Sequence, residues 1–169
     1  SNPNPMGTDK QQILEKCYWS FREASGDAKI IILNDSCQDL KFLRGDEEII
    51  DCSGLGNVGT YYKQLDLVCE EPNNDNVMLV EDDYLWLRDS VMPLERALDV
   101  LPLISPYDHP GHYTEPRFDT PKTMKLIENH TYRSAPSNTL TFACKAWVIK
   151  QNRTMMKMHG VRDHDMFTA

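Results

Sequence analysis

The sequence predicts an α/β fold with a mainly parallel sheet flanked by helices, and three short apolar runs carry this prediction. Residues 29–33, 48–51 and 77–80 have the length and composition of buried strands. A segment with helical spacing precedes the first run, and one follows each of the other two. Strands that alternate with helices form parallel sheets, which bind ligands outside the carboxyl ends of their strands.

The predicted helices have recognisable starts. Thr8 and Gln11 form a capping box at the first helix, which is expected to end near Gly26. The second helix follows the glycine-rich residues 54–59. The third is expected to begin after Asp89, whose side chain would cap it.

The second half of the chain has a different pattern. Residues 103–106 are typical of a strand, residues 107–121 of a loop, and residues 132–142 alternate as in a sheet. A helix is expected over 144–152, and another begins at Asp163. Because the chain opens with one helix and ends in another, we expect an opening strand and a closing loop to lie outside it.

Composition limits the possible functions. A chain of 169 residues with 40% hydrophobic residues fits a single globular domain. The net charge of -8 argues against a nucleic-acid partner, because nucleic-acid binders need a basic face. The sequence has no apolar run long enough for a transmembrane segment and no signal-peptide pattern. Five widely spaced cysteines favour free thiols, and we therefore expect a cytoplasmic protein.

The third apolar run leads directly into three carboxylates, Glu81, Asp82 and Asp83. Carboxylates this close repel one another unless a cation lies between them. Mg²⁺ typically takes one or two carboxylates together with phosphate oxygens, so a metal with a bound phosphate is the first hypothesis. The alternative is a polar strand end followed by a solvated turn.

Two more polar loops follow predicted strands and are expected at the same edge of the sheet. The first is Asn34-Asp35-Ser36, whose carboxylate can accept a base N–H. The second is the glycine-rich segment 54–59, which offers backbone N–H groups at a helix start. With the acidic triplet, these loops would form a cradle for a nucleoside diphosphate. The spacing Gly-x-Gly-Asn-x-Gly is not the dinucleotide-binding fingerprint.

In the order of these motifs, the chain resembles the GT-A nucleotide-sugar glycosyltransferases, particularly the small inverting enzymes of glycosyltransferase family two. The resemblance covers about residues 8–169 and implies a Rossmann-like, mixed but mainly parallel sheet. The matching segments are Ile30-Ile31-Ile32-Leu33-Asn34-Asp35-Ser36, Gly56-Asn57-Val58-Gly59, Val80-Glu81-Asp82-Asp83 and Gly160-Val161-Arg162-Asp163-His164-Asp165-Met166.

The resemblance implies a role for each matched residue at the donor. Asp83 would coordinate Mn²⁺ or Mg²⁺ on the diphosphate, and Asp82 or Glu81 would face the ribose. Asp35 would bind the base, which we expect to be uracil. Asn57 lies in the helix start that would line the nucleotide.

The resemblance also places the catalytic step near the end of the chain. Asp163 would be the general base that deprotonates an acceptor hydroxyl, so that the sugar is transferred from UDP with inversion. His164 would touch the diphosphate or the metal. From the residues alone, Asp163 is also interpretable as an N-cap, a role that does not exclude that of base, and a lone histidine such as His164 is more often a surface group.

Other interpretations remain open. Residues 107–113 contain two histidines and an aspartate, but Pro110-Gly111 enforces a turn, so a substrate-contacting loop or a plain surface loop is favoured over a zinc site. Arg133 would either shape an acceptor pocket or belong to an ordinary polar strand. For the whole chain, the alternatives are a receiver-type phosphoacceptor domain and a catalytically silent nucleotide-sugar-binding domain.

Overall fold

A computed structural model of the chain describes residues 9–37, 39–108, 110–116, 121–135 and 139–159. In these residues the fold is mixed α/β, as the sequence predicts. No helix in this part of the chain is long and apolar enough to cross a membrane. The elements in chain order are α1 (Lys10–Ser25), β1 (Ile31–Asn34), β2 (Glu48–Asp51), α2 (Gly56–Val68), β3 (Asn76–Leu79), α3 (Val91–Ala97), β4 (Leu103–Ile104), α4 (Gly111–Thr114), β5 (Met124–Ile127), β6 (His130–Arg133), β7 (Phe142–Lys145) and α5 (Ala146–His159).

The chain divides into two compact units. The first unit comprises Ser1–Thr60 and Glu81–Met92, and the second comprises Tyr61–Val80 and Pro93–Ala169. The acidic triplet therefore belongs to the first unit, although the strand that leads into it belongs to the second.

The first unit contains α1 and a parallel pair of strands, β1 and β2. Asp9 caps α1 by accepting a hydrogen bond from the Gln11 amide at 3.1 Å, and α1 ends at Gly26, whose φ of 58° favours glycine. The predicted end of this helix is confirmed, whereas Thr8 lies outside the described residues. The two strands pair in register from Ile31 opposite Glu48 to Asn34 opposite Asp51. This pair has the parallel direction that the sequence predicts.

The main sheet of the second unit has the strand order β3-β7-β4. The central strand β7 is antiparallel to both neighbours, so β3 and β4 run parallel to each other on either side of it. The predominance of parallel pairing that we predicted is not found here. Among the described residues, only β1 and β2 pair in parallel. The reason is that β7 comes from later in the chain and runs between two strands that a helical crossover connects.

An apolar core holds the second unit together. Side chains of α2 and α5 pack against β3 and β7, and Leu65, Phe142 and Ile149 are fully buried. Cys144 lies in the same core, and burial raises the pKa of its thiol to about 12. This thiol is therefore an inert apolar group at physiological pH.

The second unit also contains a two-stranded antiparallel hairpin formed by β5 and β6. The sequence predicted sheet only for the second of these strands. Met124 and Leu126 lie two positions apart on β5 and are 64% and 71% exposed. The turn contains Glu128 with a φ of 52°, a conformation in which glycine or asparagine is usual.

Candidate nucleotide and metal site

Two of the three predicted loops meet directly. Because β1 and β2 are parallel, their carboxyl ends lie at the same edge, and the Cys52 amide donates to the Asn34 carbonyl at 2.9 Å. One residue after Asn34 and two residues after Cys52, the Gly54 amide donates to Oδ1 of Asp35 at 2.9 Å. The loop predicted to bind a base and the glycine-rich loop are therefore joined by a backbone-to-carboxylate hydrogen bond.

A local hydrogen-bond pattern fixes the loop that carries Asp35. Oδ1 of Asn34 accepts from the Cys37 amide at 2.9 Å, and Nδ2 of Asn34 donates to the Cys37 carbonyl at 3.0 Å. Ser36 between them has a φ of 73°. This tight turn leaves Asp35 exposed at the end of β1, with one carboxylate oxygen held by Gly54.

The glycines of the second loop meet distinct backbone requirements. Gly54 and Gly56 have φ values of 84° and 64°, which residues other than glycine adopt at a cost of about 1–2 kcal/mol. A Cβ on Gly59 would lie 2.8 Å from Cβ of Leu55, too close for any other residue without a shift of the loop. The helix α2 begins at Gly56, which places Asn57 in its first turn, exposed to solvent. The first amides of a helix lack intrahelical acceptors and can bind an anion.

The third loop, the acidic triplet, lies against α1. Glu81 is half-buried, whereas Asp82 and Asp83 are exposed. Partial desolvation raises the pKa of the Asp83 carboxyl group, and the negative charge of Asp82 raises it further, against an opposing effect of Lys10. Desolvation and the charge of Asp82 thus both disfavour the ionised form of Asp83.

The two carboxylates also affect the pKa of the Cys17 thiol on α1. Burial raises the pKa of Cys17, and the charges of Asp83 and Asp82 add to the increase. Lys10 and Cys17 are seven positions apart and therefore lie on one face of the helix. The sequence did not predict that Lys10 and Cys17 lie near the triplet. Their spacing places them on one helix face, but not which segment that face contacts.

The segment after the triplet is fixed to the same helix. The Trp86 amide donates to Oγ of Ser20 at 3.0 Å, and the rings of Trp86 and Phe21 pack edge to face with centroids 5.2 Å apart. The neighbouring Leu85 and Leu87 remain exposed. These contacts hold the acidic residues at a defined position along α1.

The first turn of α1 also contacts the loop that follows Asp35. Nε2 of Gln11 donates to the Asp39 carbonyl at 2.6 Å, and Oε1 of Gln11 lies 3.7 Å from Sγ of Cys37. Lys10, one residue earlier, acts electrostatically on Asp83. All three predicted loops therefore belong to one unit, and two of them lie near the start of α1.

The carboxylates of the triplet fit the donor set of a hard divalent ion. The described residues contain no group of three or more histidine, cysteine, aspartate or glutamate side chains arranged to hold a metal. Mg²⁺ bound through a nucleotide needs only one or two carboxylates, since phosphate oxygens and water complete its shell. Asp83 and Asp82 can supply this share, and a cation would relieve the repulsion that raises the pKa of Asp83.

The predicted catalytic residues lie elsewhere in the chain. Asp163 and His164 fall outside the described residues, as does the whole segment 160–169. Their roles therefore stay predictions.

Comparison of the chain with protein-family models, with curated proteins and with solved structures identified no match. Function therefore has to be inferred from the chain's own loops and side chains.

Proposed function

We propose that this chain is a metal-dependent glycosyltransferase that moves a sugar from a nucleoside-diphosphate donor, UDP-linked, to an acceptor hydroxyl with inversion. The observation that carries the proposal is the hydrogen bond from the Gly54 amide to Asp35. It joins a carboxylate suited to a base N–H with a helix start suited to a diphosphate, at the ends of two parallel strands. A GT-A fold, with its mixed sheet, is part of the same proposal.

The donor half of the reaction uses residues of the first unit. Asp35 accepts a hydrogen bond from the base, and the amides at the start of α2, beside Asn57, approach the diphosphate. Asp83 holds Mn²⁺ or Mg²⁺, and Asp82 or Glu81 faces the ribose. When bound, the metal offsets the negative charge that develops on the departing diphosphate.

In the acceptor half of the proposed reaction, Asp163 is the general base. Its carboxylate takes the proton of the acceptor hydroxyl while the hydroxyl oxygen forms a bond to the anomeric carbon. The bond from that carbon to the diphosphate oxygen breaks, and the electron pair leaves with UDP. Because attack and departure occur on opposite faces, the anomeric configuration inverts. His164 contacts the diphosphate or the metal.

A thermal-shift measurement tests the donor site. Saturating UDP with Mn²⁺ should raise the melting temperature by about 5 °C, because a ligand at 100 times its Kd stabilises a protein by about 2.7 kcal/mol. UDP without metal should give a smaller shift. Asp83→Asn should abolish the metal-dependent part, whereas Asp27→Asn, at another exposed acid of the first unit, should leave it intact. If no nucleoside diphosphate gives a metal-dependent shift, the proposal is wrong.

A transfer assay tests the catalytic half. Asp163→Asn should keep the UDP and Mn²⁺ shift but lower transfer by at least 100-fold, the usual scale of general-base catalysis. Unchanged turnover would refute the role of Asp163. A metal-dependent shift without transfer from any nucleotide sugar would instead identify a silent nucleotide-sugar-binding domain.

A further inference from the structure

His112 is a buried titratable residue that the proposed reaction does not use. It lies on the short helix α4, and its side chain is only 7% exposed. Polar groups buried to this degree are usually hydrogen-bonded. The neighbour of its Nδ1 comes from the hairpin, since Nη2 of Arg133 on β6 lies 3.0 Å away. The contact therefore joins α4 to β6 within the second unit.

This contact fixes the protonation state of the imidazole. A guanidinium has five N–H donors and no acceptor, and it keeps its positive charge at every pH at which the chain is folded. Nδ1 of His112 must therefore accept the hydrogen bond from Arg133, which leaves the ring neutral with its proton on Nε2. A protonated ring would place an N–H group and a second positive charge against Nη2.

The other contacts of Arg133 hold its guanidinium in one orientation. Nε donates to Oη of Tyr113 at 3.1 Å, and Nη1 donates to the Ser134 carbonyl at 3.3 Å. Nη2 also donates to Oδ1 of Asp108, and Cζ lies 4.7 Å from the centroid of the Tyr113 ring. A shift of Arg133 away from a charged imidazole would break several of these contacts at once.

The charges near His112 disfavour a further positive charge. The described titratable and charged groups around the ring are Asp108, Tyr113, Lys122 and Arg133. Lys122 and Arg133 are both cations, and Nζ of Lys122 donates to the His112 carbonyl at 3.1 Å while lying 5.7 Å from the centroid of the Tyr113 ring. Asp108 is the one carboxylate among these four.

Asp108 is the group for which a charged His112 would compete with Arg133. Its Oδ2 accepts from the Tyr113 hydroxyl, and its Oδ1 accepts from Arg133 and lies 4.0 Å from Nδ1 of His112. Desolvation opposes ionisation of Asp108, but hydrogen bonds from Tyr113 and Arg133 outweigh it and lower the pKa of this carboxyl group. A single carboxylate whose oxygens are both in use cannot neutralise a third cation.

We propose that His112 is a pH-sensitive switch that joins α4 to β6 only while its ring is neutral. The neutral ring accepts from Arg133 and keeps the guanidinium against Tyr113. When Nδ1 takes a proton from solvent, it donates to Asp108 instead, and Arg133 loses two acceptors and moves away from the Tyr113 ring. The contact is therefore present at alkaline pH and disappears as the pH falls through the ordinary range of histidine titration, about 6.5.

NMR of the full chain, labelled with ¹⁵N and ¹³C and free of nucleotide and metal, tests this switch. At pH 8 the His112 ring should carry its proton on Nε2 and none on Nδ1. Between pH 8 and pH 5.5, Nδ1 should gain a proton. Over the same interval, the nuclear Overhauser effect between the Arg133 side chain and the Tyr113 ring should fall at least five-fold, because the two groups separate.

Two variants assign the pH dependence to His112. His112→Gln keeps a neutral acceptor at every pH, so the effect between Arg133 and Tyr113 should stay constant from pH 8 to pH 5.5. His130→Gln is the matched control, because His130 is an exposed histidine at the start of the same strand, and it should behave as the wild type does.

Four results would overturn the proposal. They are a proton on Nδ1 at pH 8, a ring that stays neutral down to pH 5.5, an Arg133–Tyr113 contact that persists after His112 is protonated, and loss of that contact in His112→Gln over the same pH range as in the wild type. The first three need no variant, so they apply even if His112→Gln does not fold. Since no nucleotide or metal is present, this proposal and that of a donor site can each fail alone.

Discussion

The two units of this chain are stabilised by different interactions. The second unit has a core of apolar side chains from α2, α5, β3 and β7. The described part of the first unit has few buried residues, and one of these is an arginine. They are Cys17, Tyr18, Arg22, Cys52 and Val91. Its strand β2 leaves Ile49 51% exposed.

Arg22 takes part in a charged network that substitutes for part of an apolar core. Arg22 pairs with Asp46, and its Nε lies 4.0 Å from Glu47, whose side chain is 1% exposed. Glu47 accepts hydrogen bonds from Tyr18 and from the Gly45 amide. Networks of this kind are sensitive to pH and to the loss of any member. The candidate nucleotide site therefore lies on the unit with less apolar burial, where local opening is easier.

The largest effect is expected in the apolar core. Phe142→Ala should lower the free energy of unfolding by about 3–5 kcal/mol, because it removes a fully buried ring and leaves a cavity. Urea denaturation followed by circular dichroism measures this change. Met124→Ala, at an exposed position of the same unit, should change it by at most about 0.5 kcal/mol. A loss below about 1 kcal/mol for Phe142→Ala would contradict the described core.

A smaller effect is expected in the charged network. Glu47→Gln should lower the free energy of unfolding of the first unit by about 2 kcal/mol. The change removes a negative charge from beside the buried Arg22 and weakens the hydrogen bonds that the carboxylate accepts. Hydrogen exchange should show faster exchange of β1 and β2 amides and little change in β7. The matched control is Glu48→Gln, whose side chain is 52% exposed. Equal loss of protection in both units would show that they do not differ in this way.

Acid should destabilise the first unit before the second. Desolvation raises the pKa of Glu47, but hydrogen bonds from Tyr18 and Gly45 outweigh it and lower the pKa to about 2, against an ordinary value of 4.5. The folded-state pKa is depressed, so its stabilisation is complete above about pH 5 and disappears as the pH falls toward 2.

The second unit has a lowered pKa at Asp66, where desolvation is outweighed by Lys157 and Arg153. These partners are partly exposed, so 0.5 M salt should weaken their contribution more than that of Glu47. Hydrogen exchange between pH 5 and pH 2 at high salt should therefore show β1 and β2 losing protection before β7. The reverse order would contradict the comparison.

The smallest expected effect is a gain in stability. The pKa of Asp83 is raised by desolvation and by Asp82, so its ionised form destabilises the first unit at neutral pH. Asp83→Asn should raise the melting temperature in metal-free buffer by about 1 °C, a small gain because solvent screens an exposed carboxylate. Differential scanning calorimetry measures it, with Asp27→Asn as the control. A lower melting temperature for Asp83→Asn would show that its carboxylate has a structural role.

Much of the fold could be predicted because local patterns encode it. The strand at 48–51 has the predicted bounds, since it lies between polar turns. The second helix begins earlier than its apolar spacing suggests, at Gly56, because positive φ at Gly54 and Gly56 lets the chain turn into it. Strand β5 was missed because its hairpin turn carries Glu128 at positive φ in place of a glycine. The antiparallel direction of β7 depends on contacts between distant segments, which local patterns do not contain.

The candidate site was predictable to the extent that it follows from strand ends. The contact between Asp35 and Gly54 follows from two parallel strands of similar length, whose ends must coincide. The proximity of Lys10 and Cys17 to Asp83 depends on how the loop after β3 packs on α1, and no short motif specifies it. The same holds for the pairing of Asp108 with Arg133, which are 25 residues apart.

The discontinuity of the first unit has a consequence for its synthesis. The hydrogen bond from Trp86 to Ser20 spans 66 residues and fixes the segment that carries Asp83. A ribosome that has released the chain through the first turn of α2 has made both candidate nucleotide loops but none of the three acids. Tyr61–Val80 must emerge before the acids do. During translation the chain therefore acquires the helix start proposed to bind the diphosphate before the carboxylates proposed to hold the metal, and the first unit closes only when residues near 86 leave the exit tunnel.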